Sequence, residues 1–202
     1  TDDDLNGICD IVDKIRDKYL QKPKILRGLR ISISASTFIP KPFTPFQWCA
    51  FATREDVFQK QRYLKDALTK KGISFAYNDY NTSYLEAVLA RGGRTVADAI
   101  YEAYKSGARF DAWSEFFNFE LYKNAFESLG IDTDQIVRAY DLGEVLPWDF
   151  VDVGVDKRYL KAEYLKAMNA DTTPSCTKQC NACGLTKWGF CRDGHGNKAV
   201  QK

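Results

Sequence analysis

Residues 29–48 read LRISISASTFIPKPFTPFQW, and this stretch decides how the chain folds. Leu29, Ile31 and Ile33 alternate with Arg30, Ser32 and Ser34, the two-residue period of a strand. Pro40, Pro42 and Pro45 follow within six residues. Proline lacks the amide hydrogen and fixes φ, so helix and interior sheet ladder are both excluded there. The stretch predicts a strand that runs into a stiff loop.

Working outward, Thr1-Asp2-Asp3-Asp4 is an acidic cap suited to the positive end of a helix. Leu5, Ile8, Cys9, Val12, Ile15 and Tyr19 keep helical spacing until Pro23. Cys9 lies on that stripe as a small hydrophobe. Downstream, Thr53-x-x-Asp56 is a capping box that opens a helix through Val57, Gln61, Leu64, Ala67 and Leu68, closed by Gly72. Ile73 to Tyr77 is a short apolar and aromatic run, a second strand. Helix, strand, helix, strand is the order of a parallel α/β sheet with crossover helices.

From Asp79 onward the pattern is helical. Ser83-x-x-Glu86 and Thr95-x-x-Asp98 predict the caps of two helices separated by Gly92-Gly93. A third helix is predicted from Trp113 or Ser114, carrying Phe116, Phe117, Phe119, Leu121, Tyr122 and Phe126. Thr133 to Ala139 is a short helix, and Asp156 caps the last, with Tyr159, Leu160, Glu163, Tyr164 and Ala167 on it. The tail from Asp171 reads as loop. No internal repeat or low-complexity segment interrupts the chain.

The 202 residues are 45% hydrophobic and 14% aromatic, enough for a sizeable core. The net charge of +2 argues against a broad nucleic-acid surface, while leaving room for a small basic groove. No apolar run approaches the roughly 18–20 residues of a membrane span, and no charged start precedes an apolar signal segment. A cytoplasmic protein without membrane association is expected. The chain begins with Thr1 and its only methionine is Met168, so it reads as a processed chain or, in preference, as a piece of a longer protein.

Several stretches occur together in a familiar order: STFIPKPFTPFQW (36–48), SYLEAVLARGGR (83–94), GARFDAW (107–113), LPWDFVDVGVDKRYLKAEYLKA (146–167) and TPSCTKQCNACG (173–184). They resemble the C-terminal part of an uncharacterised bacterial family of radical S-adenosylmethionine (SAM) proteins with an N-terminal B12-binding domain. The resemblance implies an α/β plus α chain. Residues 1–78 would be the last βα units of a partial (β/α) barrel, with Leu29–Ser34 as its sixth strand. Residues 79–170 would form a helical cap, and 171–202 a Cys-rich metal-binding tail. SAM, a [4Fe–4S] cluster and cobalamin are implied for the full-length protein, whose catalytic cluster and cobalamin domain lie upstream. The chain alone is then expected to be inactive, and its first partner is the missing N-terminal part. A small molecule or an RNA is the expected substrate.

By the same resemblance, the end of the sixth strand lies near the SAM adenosine, which points to Ser34, Ser36, Phe38, Pro40, Lys41, Pro42, Thr44 and Trp48 as cofactor-binding. Thr37, Phe46 and Gln47 share that rim. Carbonyls freed by the prolines, with flanking aromatics, suit a flat base, and Lys41 suits a carboxylate or phosphate. The alternative is a rigid loop packed on the barrel edge. The chain departs from the family at Gly93, where an acid is usual, and at Cys183-Gly184-Leu185-Thr186, which lacks a final cysteine.

Cys176, Cys180 and Cys183 form a C-x3-C-x2-C run. That is the spacing of a radical SAM cluster, but only nineteen residues follow Cys183, too few to build a barrel after it. The run is therefore expected to be an accessory site for zinc or a [4Fe–4S] cluster. Cys191 is the first candidate for a fourth ligand and His195 the second. Free or disulfide-bonded cysteines are the alternative. A different class of function also stays open: a non-catalytic, zinc-stapled module that binds a protein or an RNA.

Arg91, Arg94, Asp111, Glu115 and Asp149 suit either substrate contact or the ion pairs of helix packing. Trp113 and Trp148 are expected as core anchors, and Arg91-Gly92-Gly93-Arg94 as a helix break. An unpaired strand edge at Leu29–Ser34 predicts self-association.

Overall fold

The computed structural model describes residues 1–22, 28–70 and 72–189. They form helices α1 (Asp2–Leu20), α2 (Arg54–Leu68), α3 (Tyr80–Arg91), α4 (Val96–Lys105), α5 (Phe119–Ser128), α6 (Thr133–Val137) and α7 (Lys157–Met168), with strands β1 (Ile31–Ala35) and β2 (Ile73–Tyr77). The chain divides into two compact units. One comprises Thr1–Phe38 and Ala52–Tyr84, the other Ile39–Phe51 and Leu85–Lys202. The Pro-rich loop thus belongs with the later helices, whereas the sequence grouped it with the strands.

In the first unit β1 and β2 pair in parallel, from Ile31 opposite Ile73 to Ala35 opposite Tyr77. Alternation sorts their side chains. Ile31, Ile33, Ala35, Ile73 and Phe75 pack with Leu5, Ile8 and Cys9 of α1 around buried Val12, Leu64 and Leu68. Both helices therefore cover one face of the sheet. The opposite face carries Ser32, Ser34, Ser74 and Ala76, all exposed, and the Ser74 hydroxyl donates to Ser32 Oγ at 3.1 Å. Among the described residues, neither outer edge of the pair is hydrogen-bonded to another strand. Gly72 leads into β2 with φ +85°, and a Cβ there would lie 2.5 Å from the Leu29 carbonyl oxygen.

Local chemistry accounts for several helix starts. The Thr1 side chain accepts from Asp4 N–H and Thr53 from Asp56 N–H, each at its helix's first turn. Asp156 accepts from Arg158 N–H at the start of α7. Other caps differ from the sequence reading. The helix expected from Ser83 begins at Tyr80, because Asp79 accepts Thr82 N–H at 3.0 Å. Ser83 lies inside that helix, buried, and donates back to the Asp79 carbonyl. Thr95 stands at the N-cap of α4, as its spacing predicts, but its hydroxyl makes no capping bond and donates instead to the Gly92 carbonyl at 2.8 Å. The aromatic helix expected from Trp113 starts only at Phe119, where Asn118 accepts Glu120 N–H.

The second unit has its core at Trp48, Tyr140, Leu146, Trp148 and Leu160, with Phe43, Leu142, Val155, Tyr159 and Tyr164 packed against it. Elsewhere in that unit α4 packs against α5, and Ala99, Ala103 and Ala125 are buried. Trp148 is the anchor its sequence context predicts, but Trp113 is 55% exposed. Among the described residues no helix is long and apolar enough to cross a membrane.

Candidate functional site

The second unit is organised around one buried cation. Arg91, at the end of α3, is wholly buried. Its Nε donates to the Ile136 carbonyl at 3.1 Å and its Nη2 to that of Arg138 at 2.7 Å. Its Nη1 donates to the carbonyls of Pro40 at 3.1 Å and Gln47 at 3.2 Å. The rings of Tyr140 and Trp148 lie 4.9 and 5.7 Å from the guanidinium carbon. No carboxylate among the described residues pairs with it, so backbone dipoles and ring faces do the work of a counter-ion. Burial pushes the guanidinium below its ordinary pKa.

Arg91 thereby fastens the Pro-rich loop. A second fastener is Gln47, also buried, whose Oε1 accepts Phe43 N–H at 3.0 Å and Trp148 Nε1–H at 2.7 Å. Backbone bonds from Tyr140 N–H to the Trp48 carbonyl and from Phe51 N–H to that of Val137, both 2.9 Å, complete the attachment. Neither hub was visible in the sequence, which offered Arg91 for substrate contact or an ion pair and Gln47 for the loop's rim. Its one signal was the prolines: they strip donors from a loop whose carbonyls must still be satisfied when buried.

The eight rim residues divide between the units. Ser34, Ser36 and Phe38 belong to the first and are exposed. Pro40, Lys41, Pro42, Thr44 and Trp48 belong to the second. Pro40 and Trp48 are buried, and the Pro40 carbonyl, expected free for a ligand, is taken by Arg91. Lys41 pairs with Glu86, and Thr44 donates to the Lys41 carbonyl at 2.8 Å. Trp48 Nε1 is buried without a partner among the described residues.

The other charged candidates have mostly local tasks. Asp149 accepts Leu146 N–H at 2.8 Å and pairs with Lys157. Asp111 accepts the Tyr122 hydroxyl at 2.6 Å. Arg94 lies 4.5 Å over the Phe150 ring, at a surface cleft of about 590 Å³ that Arg138 and Glu144 also line. The two-point pair with Arg138 holds the Glu144 carboxyl below its ordinary pKa. Glu115 is exposed.

The Tyr122 hydroxyl is pushed up to about 12, first by burial and then by its bond to Asp111. Folding therefore favours the neutral phenol. That contribution is complete below the unfolded value of about 10 and is lost as pH rises from there through about 12. The difference in tyrosinate absorbance between the parent and Tyr122→Phe should titrate near pH 12; a midpoint near 10 would show that the hydroxyl is not held by this contact.

In the tail, Cys176 and Cys180 are exposed, Cys183 is half-buried, and all three are free thiols. Among the described residues no three His, Cys, Asp or Glu side chains gather into a metal-holding set. Cys191 and His195 lie outside the described residues. The tail is attached at Cys183, whose carbonyl accepts Asp156 N–H at 2.8 Å. Gly184 follows with φ +102°; a Cβ on it would stand 3.0 Å from the Asp156 nitrogen and 3.1 Å from the Gly154 oxygen. Leu185 and Trp188 pack over Gly154.

The chain is similar to an uncharacterized protein of Methanocaldococcus jannaschii, 25% identical over 131 residues. The match covers 65% of this chain and 27% of the relative, so the chain spans little more than a quarter of the curated relative it matches. No protein-family model matches the chain, and no solved structure matches it significantly.

Proposed function

We propose that this chain supplies the closing βα portion of a cytoplasmic radical SAM enzyme's barrel, together with its helical cap and an accessory metal tail. The observation that carries this reading is the two-sidedness of the β1–β2 sheet. Helices α1 and α2 cover one face, and the other bears only Ser32, Ser34, Ser74 and Ala76. Strands of a (β/α) barrel have helices on one side and the interior on the other. Among the described residues the pair keeps a bare face and two bare edges, which parallel strands rarely do, so it suits part of a larger sheet. The missing N-terminal part of the protein would provide the neighbouring strands.

Ser34, Ser36 and Phe38 lie at the C-terminal end of β1, the end at which barrels hold their ligands. When bound, SAM, a [4Fe–4S] cluster and cobalamin supply the radical chemistry of such enzymes. This chain's share is to line the ligand site and exclude water from it, on a small-molecule or RNA substrate. The C-x3-C-x2-C spacing and three unpaired thiols support zinc or a second [4Fe–4S] cluster in the tail, with Cys191 or His195 as the fourth ligand.

The full-length protein, purified without oxygen, tests the barrel reading. It should bind SAM, and Ser34→Trp should weaken that binding at least about tenfold. A colourless full-length protein that holds zinc and does not bind SAM would replace this reading with the non-catalytic zinc-stapled module. The tail is tested separately on the 202-residue chain. One equivalent of zinc or a cluster's iron should be retained by the parent and lost in Cys180→Ser; equal metal content in both would remove the tail site.

A further inference from the structure

Between α4 and α5 the backbone makes successive turns, with Trp113 N–H bonded to the Phe110 carbonyl at 2.9 Å and Phe116 N–H to that of Trp113 at 3.0 Å. Phe110, Trp113 and Phe116 stand outward from these turns, 64%, 55% and 57% exposed. They are not scattered. Phe110 meets Trp113 edge-on at 6.0 Å between ring centroids, and Phe116 at 5.8 Å with the rings tilted by 56°. Phe110 also holds φ at +57°, a conformation that bulky residues rarely adopt. On α4, Tyr101 and Tyr104 are exposed too, and Arg109, next to Phe110, lies 3.6 Å over the Tyr104 ring. A contiguous aromatic surface of this kind marks an interaction site more often than a solvated loop.

Charge selects the occupant. Residues 96–120 hold the carboxylates of Asp98, Glu102, Asp111, Glu115 and Glu120 against only Lys105 and Arg109. Only one of these two cations has a carboxylate partner, and Glu120 is itself paired with Lys123 at 3.7 Å. Lys105 pairs with Glu102 at 2.6 Å, and Arg109 donates to the Tyr104 and Ala108 carbonyls at 2.5 and 2.6 Å. Asp98 and Glu115 are exposed and make no ion pair among the described residues. With the two ion pairs set aside, Asp98, Asp111 and Glu115 stand against Arg109, so the spare charge of this stretch is negative, in a chain whose net charge is +2. A phosphate backbone would be repelled. Guanidinium and ammonium groups are attracted both to ring faces and to carboxylates.

We propose that Phe110, Trp113 and Phe116, with Glu115 beside them, form a docking surface for a protein segment that presents arginine or lysine side chains. The probe is a short synthetic peptide of alternating arginine and leucine, titrated calorimetrically into the 202-residue chain. A glutamate–leucine peptide and a single-stranded oligouridylate are the other arms. Saturable binding of the arginine peptide alone is expected, weakened about tenfold or more in Phe110→Gly and in Glu115→Lys. Glycine accepts the left-handed backbone of position 110, so Phe110→Gly should keep the parent's circular dichroism and unfolding midpoint. If it does not, Trp113→Ser replaces it. Absence of saturable binding, equal affinity in the variants, or equal binding of either other probe overturns the proposal. So does concentration-dependent self-association abolished by the same variants, which would assign the surface to a second copy of the chain.

Discussion

Arg91→Met is expected to lower the urea midpoint of the second unit by about 1–2 M, the equivalent of about 3 kcal/mol at a typical denaturant slope. Methionine fills much of the same volume but donates nothing. The carbonyls of Pro40, Gln47, Ile136 and Arg138 lose their donor together. Each buried carbonyl left unsatisfied costs about 1–3 kcal/mol. Part of that is offset, because the buried guanidinium itself carries a desolvation cost, seen in its lowered pKa. The loss dominates because four acceptors share the one donor group. Arg91→Lys should recover little: an ammonium concentrates its donors on one atom, whereas these bonds leave from three nitrogens. Tryptophan fluorescence reports on this unit alone, since Trp48, Trp113, Trp148 and Trp188 all belong to it. A midpoint shift under about 0.3 M would show that the carbonyls find other partners, and the hub would be dispensable.

Gly92→Ala should be destabilising by about 2–4 kcal/mol, for a reason of space rather than backbone conformation. A Cβ on Gly92 would stand 2.1 Å from Val96 Cγ1, 2.9 Å from the Val88 carbonyl oxygen and 3.3 Å from Ile136 Cδ1. Val96 is itself buried, so its side chain has no solvent to move into, and the Val88 oxygen belongs to the helix backbone and cannot swing aside. Val96→Ala removes the nearest obstacle. The double variant Gly92→Ala/Val96→Ala should therefore be more stable than the sum of the single effects by about 1 kcal/mol or more. Additive effects would place the damage elsewhere. In the sequence Arg91-Gly92-Gly93-Arg94 was only a helix break; in the structure its first two residues are a fastener and a contact point.

Helix starts that depend on a side chain one turn from its own backbone were legible. Thr1, Thr53 and Asp156 cap their helices as their spacing predicts. Ser83 and Thr95 satisfy the same pattern yet bond elsewhere, because Asp79 captures the earlier amide and the Gly92 carbonyl captures the Thr95 hydroxyl. The aromatics at 113–117 have a spacing compatible with helix. The left-handed Phe110 and the Asn118 cap keep them in turns, where the rings of Trp113 and Phe116 meet solvent. Hydrophobic pattern alone ranks such rings as core, since it cannot see how much surface remains to cover them.

Alternation and proline content, which are properties of neighbouring residues, determined by themselves that residues 29–48 make a strand and then a stiff loop, and that β1, α2 and β2 follow as a parallel unit. Only the tertiary structure decided what that loop is fastened to. Pro40 and Arg91 are 51 residues apart, and Gln47 and Trp148 are 101 apart. Backbone carbonyls are the same on every residue, so no local pattern names the donor that will satisfy them. That choice is made when packing buries acceptor and donor together and leaves neither any water to turn to.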